Sequence, residues 1–427
     1  MVGAPAVAAT AVFLGAIALT VVWENYRVPI VGAGAAIAVG VGLVPTGALV
    51  PQGWGAGGSV VEWNALALLT GLILFGALFG ALGLTRAAAL TLAFRLKGNP
   101  VRLFATLAGL AFALSMLLTS VAVILILIGV TLEICQALRI PPIPFVLGEV
   151  SAANIGGAGT LFGSPPNVIL GTKFALSFPA FLTHTGPAAL AALAVTVLLF
   201  VRSMRPTPGA PPPSVPRPTI ELDRPHVLVA IGAFVVMIAF LVEGSSWGIP
   251  IWMVGVAGGG AAVAIAGPRF ARGLVEDLDW QTLLFLALLF VLVGALLDTG
   301  AIAAFAGGLL ATGVTDPIAL GLVLLWALAG LSMLIDNVPL AAVAAPLVAQ
   351  IGAAAQVGTT GLVYAATLGL NLGGNGTPIG SAAGIVGLAE AERRGFRVGW
   401  RRFVRQSGPI MVAALAAASV VWIFVAR

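Results

Sequence analysis

The heptapeptide Asn154-Ile-Gly-Gly-Ala-Gly-Thr160 returns as Asn371-Leu-Gly-Gly-Asn-Gly-Thr377, 217 residues downstream, and each copy interrupts an apolar run. Other residues repeat at the same offset. Trp63 has its partner in Trp280, Ser115-Met116-Leu117 in Ser332-Met333-Leu334, and Gly163-Ser164 in Gly380-Ser381. So many anchors without a gap mark a duplication, and self-similarity of this kind governs the reading of everything else.

The surroundings of the repeat are hydrophobic. Of 427 residues 60% are hydrophobic and 8% charged, against about 25% charged in an ordinary soluble domain. Apolar runs long enough to cross a bilayer, about 20 residues each, recur from end to end. Each half reads as five spans. The first half has Ala4–Val22, Val28–Val44, Trp63–Leu82, a broken segment around Phe145–Gly171, and Phe181–Val201. The second has Val227–Val242, Ile249–Ala266, Trp280–Leu297, a broken segment around Gly361–Leu388, and Pro409–Val425. Each half also holds an apolar pair split by one polar step, Leu103–Leu118 with Val121–Leu138 and Ile318–Ile335 with Val338–Gln350, which reads as a re-entrant hairpin. The expected divisions are 1–201, a proline-rich linker 202–225, and 226–427.

Five spans per half is an odd number, so the second half runs through the membrane inverted. The basic residues support this topology. Eighteen of the twenty lysines and arginines fall on one face, leaving only Lys173 and Arg427 on the other. Positive charge marks the cytoplasmic side. The linker is therefore expected in the cytoplasm and both termini outside, in the cytoplasmic membrane. This distribution explains the net charge of +5 without invoking nucleic acid.

Three glycines in seven residues disfavour a continuous helix, and an unwound stretch at membrane depth survives only where it lines a cavity. Helix N-termini following the breaks would aim N–H groups at that cavity. Inverted repeats whose broken helices meet at the midplane are the architecture of secondary transporters. Small-residue helix packing is the plainer reading of the glycines. It does not predict the flanking Asn and Thr. The candidate substrate-binding residues are Asn154, Gly156, Gly157 and Thr160 with Asn371, Gly373, Gly374, Asn375 and Thr377. The hairpin tips add Thr119 and Ser120 in the first half and Asp336 and Asn337 in the second.

Asp336 is the one acid at either tip, and an ionisable group at membrane depth is a functional candidate. It is expected to carry a coupling proton, with Glu149 as the second candidate. A plainer role for Asp336, capping the helix that begins near Val338, is compatible with this. Cys135 stands alone, which excludes an intramolecular disulfide and a multi-thiolate metal site. No nucleotide-binding loop, nucleophile elbow or metal-ligand cluster appears, so no enzyme activity and no cofactor are expected. Transport by this chain alone would draw on an ion gradient.

The stretches Glu149-Val-Ser-Ala-Ala-Asn-Ile-Gly-Gly-Ala-Gly-Thr160, Gly163-Ser-Pro-Pro-Asn167, Ser332-Met-Leu-Ile-Asp-Asn-Val-Pro339 and Gly373-Gly-Asn-Gly-Thr-Pro-Ile-Gly380 resemble the ion transporter superfamily. The closest likeness is to its arsenite/antimonite efflux permease and sodium/proton antiporter branch (ArsB/NhaD type). The resemblance covers nearly the whole chain. It implies an all-α polytopic fold with a scaffold domain, a transport domain of hairpins and broken helices, an elevator-like movement and a homodimer.

The first tip, Thr119-Ser120, lacks the acid that relatives often carry, which disfavours sodium. The triplets Ala153-Asn154-Ile155 and Leu370-Asn371-Leu372 lack the serine and threonine of the dicarboxylate branch, and no arginine is expected in the core to clamp an anion. The resemblance and these departures together imply proton-coupled efflux of arsenite or antimonite, held by hydrogen bonds from the paired asparagines and threonines. Two alternatives stay open. One is a sodium/proton antiporter or an anion symporter on the same fold. The other is the membrane subunit of a pump driven by a soluble ATPase.

Overall fold

The computed structural model describes residues 3–23, 26–49, 59–95, 99–204, 223–276 and 278–426. Residues 205–222 of the expected linker, with Arg205 and Arg217, lie outside the described residues, as do Lys97 and Arg427. The first repeat comprises α1 (Ala4–Val22), α2 (Arg27–Gly40), α3 (Trp63–Ala81), α4 (Leu84–Arg95), α5 (Pro100–Ser115), α6 (Ser120–Leu138), α7 (Ile143–Ala158), α8 (Pro165–Lys173), α9 (Phe178–His184) and α10 (Gly186–Ser203). The second comprises α11 (Arg224–Glu243), α12 (Ile251–Glu276), α13 (Trp280–Asp298), α14 (Ala301–Leu310), α15 (Pro317–Ser332), α16 (Asn337–Ala355), α17 (Thr359–Gly373), α18 (Ala382–Arg393) and α19 (Trp400–Val425). Among the described residues nine helices are long and apolar enough to cross a membrane. The chain is an all-α, multi-pass membrane protein of two inverted repeats, each with a hairpin and a broken helix.

The duplication extends to the helix ends. The hairpins α5–α6 and α15–α16 both start with a capping side chain followed by proline at the first helical position. Asn99 Oδ1 accepts from Arg102 N at 3.0 Å and Asp316 Oδ1 from Ala319 N at 2.8 Å, while Pro100 and Pro317 need no N–H there. Both second arms close on a left-handed residue 217 positions apart, Arg139 (φ 54°) and Gln356 (φ 55°). The repeats interleave: α6 packs on α18, and its counterpart α16 packs on α8. Each hairpin therefore leans on the other half's broken helix.

Two details differ from the sequence reading. The helices α4 and α14, to which the sequence reading gave no span, follow α3 and α13 after sharp turns at Gly83 (φ 69°) and Gly300 (φ 76°). The span around Phe181 divides into α9 and α10 at Thr185, whose hydroxyl donates to Phe181 O at 2.9 Å.

Candidate functional site

The helix breaks fall later than the glycine count suggests. Helix α7 continues through Asn154, Gly156 and Gly157 to Ala158, and α17 through Asn371 to Gly373. The irregular stretches are 159–164 and 374–381. Gly156 and Gly373 are required by close packing: a Cβ on Gly156 would lie 2.3 Å from Phe112 O, and one on Gly373 2.4 Å from Ala329 O. The broken helices press their glycine faces against the first hairpin arms, α5 and α15. Gly157 and Gly374 perform a related task where the chain folds back: a Cβ on them would lie 3.1 and 2.8 Å from the carbonyl oxygens of Gly163 and Gly380.

The threonines at the breaks act as latches. Thr160 donates to Met116 O and Thr377 to Met333 O, fastening each irregular stretch to the end of the neighbouring hairpin arm. Thr160 also accepts from Gly163 N at 3.2 Å.

The asparagines form a buried lattice across the repeats. Asn154 Nδ2 donates to Asn375 Oδ1 and to Ser381 Oγ, both at 2.8 Å. Asn371 Nδ2 donates to Asn167 Oδ1 and to Thr367 O, again at 2.8 Å. Asn167 Nδ2 reaches the carbonyls of Gly157 and Thr160, and Asn375 Nδ2 that of Ser151. An amide nitrogen has two hydrogens, so Asn154 and Asn371 have none left for a ligand. Sequence reasoning found these residues but gave them direct substrate contact. Their geometry is that of a clamp joining α7 and α8 to α17 and α18.

The hairpin tips and the starts of the half-helices meet at a cavity of about 710 Å³. Thr119, Ser120, Asp336 and Asn337 line it from the tips, and Ser164 and Ser381 from the residues preceding α8 and α18. Asp336 Oδ1 accepts from Val338 N at 2.9 Å, so the acid caps α16 while facing the cavity. Thr119 caps α6 by position but makes no side-chain bond to it, which leaves its hydroxyl available to the cavity. Helices α3 and α13 supply the walls through residues such as Gly76, Gly80, Thr282 and Phe285.

Glu149 lies elsewhere. It is fully buried between α6 and α7, where Thr131 Oγ1 donates to its Oε1 at 2.6 Å. Its Oε2 has no hydrogen-bond partner among the described residues, and the residue is not part of the cavity wall. The tips gather Asp336 with Thr119 and Ser120; they do not gather Glu149.

One residue of the cavity wall was not expected from the sequence. Arg27 was grouped with the loop cations, and no arginine was expected in the core. Its guanidinium lines the cavity, donating to Thr282 Oγ1 at 2.9 Å, standing 3.9 Å from Asp279 and resting over Phe285 at 5.6 Å. No motif announced it: an arginine at the start of a helix is an ordinary interfacial residue, and the packing of α2 on α13 brings it beside Thr282 and Asp279. Among the described residues no cluster of three or more His, Cys, Asp or Glu could hold a metal ion.

Such a fold, with hairpin tips and half-helix starts around a central cavity, defines a membrane transporter. The profile of the CitMHS citrate transporter family matches residues 18–369, and the chain belongs to that family. It is 32% identical over 380 residues to an uncharacterized transporter of Mycobacterium tuberculosis, covering 84% of this chain and 85% of the relative. It is 27% identical to the magnetosome protein MamN of Magnetospirillum gryphiswaldense, covering 94% and 95%. It is likewise 27% identical to the human P protein, covering 83% of this chain and 53% of that one. In fold it is similar to the crystal structure of the YdaH transporter of Alcanivorax borkumensis, with a TM-score of 0.61 at 14% identity over 99% and 98% of the chains. The chain is a transporter rather than an enzyme.

Proposed function

We propose that this protein is a proton-coupled secondary transporter that exports a small, uncharged, hydroxyl-rich solute, arsenite or antimonite as the trihydroxy acid. The observation that carries the reading is the cavity itself: Asp336, the one acid at the hairpin tips, lines it together with Thr119, Ser120, Asn337, Ser164 and Ser381. Asp336 binds and releases the coupling proton, and the hydroxyls and Asn337 hold the solute. The asparagine lattice acts one step back, keeping Ser381 and the two breaks in register. Arginine, aspartate and hydroxyl groups offer no soft ligand set, so recognition is by hydrogen bonds to the oxygens of the solute.

A second reading follows from Arg27 and from the family. A guanidinium in the wall favours a carboxylate-bearing anion such as citrate. The charge balance argues against this as the main cargo. Arg27 already has Asp279 beside it, and Asp336 adds a further negative charge or none, so the cavity offers a polyanion no net positive field. The two readings part in one experiment: uptake into inverted vesicles of arsenite, antimonite and citrate side by side under an imposed proton gradient. Gradient-driven uptake of a metalloid supports the first reading. Uptake of citrate alone would transfer the site to the second.

A further inference from the structure

Among the positions at which the two repeats differ, one pair concerns how charges meet across a helix contact. Glu62 and Lys173 of the first repeat correspond, 217 residues on, to Asp279 and Glu390 of the second. Lys173 Nζ donates to Glu62 Oε1 at 2.8 Å. This ion pair joins the end of α8 to the residue preceding α3, and α3 packs along α8. Asp279 and Glu390 are both acids, so they have no such bond to make. Asp279 stands beside Arg27, and Glu390 Oε1 accepts from Arg394 Nε at 2.8 Å.

The packing follows the charges. Ile385 and Val386 of α18 are half-buried and line the cavity, which opens between α18 and α13. Their counterparts on α8, Val168 and Ile169, are 0% and 1% exposed. On one face of the molecule α8 is buried and an acid meets a base. On the other, closure would bring an acid toward an acid.

We infer that Glu62 and Lys173 form a one-sided electrostatic latch, which holds the resting transporter sealed at the α3–α8 face and open at the face of Arg27 and Asp279. This rests on the alternating-access reading above but not on the identity of the cargo. The mirror-image closure has no such ion pair to hold it, because Asp279 and Glu390 are both acids and each already stands beside an arginine, so the two states of the transport cycle are unequal in free energy in the absence of solute.

The test uses purified full-length protein in detergent, where a maleimide reaches both faces, with Cys135→Ala to remove the native thiol. Single cysteines at Val386 and Ile169 report the two faces, and no solute is added. In the otherwise unaltered chain Val386→Cys is labelled faster than Ile169→Cys. Lys173→Glu, which sets two acids face to face, lowers the ratio of the two labelling rates about two- to fivefold, the upper part of the range for an exposed pair. Lys173→Gln lowers it less. Exchanging the charges, Glu62→Lys with Lys173→Glu, restores it. A ratio that stays within about twofold in both single variants overturns the latch, as does a fall that the charge exchange fails to reverse. Each variant is compared at equal monodispersity in gel filtration, and Lys173→Gln provides the milder case if reversal prevents folding.

Discussion

At the scale of the residue, Asp336 and the asparagines carry separable tasks. Asp336 caps α16 and faces the cavity. Asparagine is as good a helix cap as aspartate but does not titrate, so Asp336→Asn should leave expression and melting temperature unchanged. Accumulation driven by a proton gradient should fall to background, while exchange of labelled for unlabelled solute persists. Glu149→Gln, run beside it, should still pump, because Glu149 is buried away from the cavity. The reverse pattern would move the coupling role to Glu149. For Asn154→Ala the expectation differs in kind. Removing the amide strips Asn375 Oδ1 of its donor and unties Ser381. Loss of a buried partner of this sort costs about 1–3 kcal/mol, so the variant should lose both thermal stability and transport. If it transports poorly at an unchanged melting temperature, the amide touches solute after all. The sequence singled out these residues without showing what they touch: a polar residue repeated inside an apolar run reads alike whether it meets a ligand or another asparagine. Arg27 was hidden because its place in the cavity wall depends on which helix α2 packs against.

At the scale of the element, the fold was legible where the pattern repeats. The hairpins could be read from paired apolar runs split by Thr119-Ser120 and Asp336-Asn337, and the structure places helix starts at those steps. The broken helices were legible as elements but not in their boundaries. Glycine is a weak helix former, yet here several glycines stay helical because backbone on a neighbouring arm occupies the space of a side chain. That cause is tertiary and leaves no local trace. It does give a prediction. Gly156→Ala forces a Cβ onto Phe112 O and should lower the melting temperature, by an overpacking cost of about 1–3 kcal/mol. Gly330→Ala on α15, where a Cβ meets nothing within 4 Å, should be neutral or slightly stabilising, since alanine is the better helix former. Equal effects of the two substitutions, measured by thermal unfolding in the same detergent, would remove close packing as the reason for the glycines.

At the scale of the whole molecule, the 217-residue offset specified two inverted halves, and the interleaving of α6 with α18 and of α16 with α8 is its three-dimensional consequence. Orientation rests on the distribution of basic residues. A cysteine at Ala210 should therefore resist an impermeant maleimide in intact cells, while one beside Arg427 reacts; the opposite pattern would invert the assignment. Neither orientation alters the central claim, which is that the cavity exchanges a neutral hydroxylated solute for protons through Asp336. Its most direct test is proton movement in proteoliposomes of the purified protein loaded with a pH-sensitive dye. An imposed arsenite or antimonite gradient should drive protons in the opposite direction in the wild type and drive none in Asp336→Asn, with citrate and sodium gradients inert in both. Proton movement that survives in Asp336→Asn, or that only citrate or sodium elicits, would contradict it.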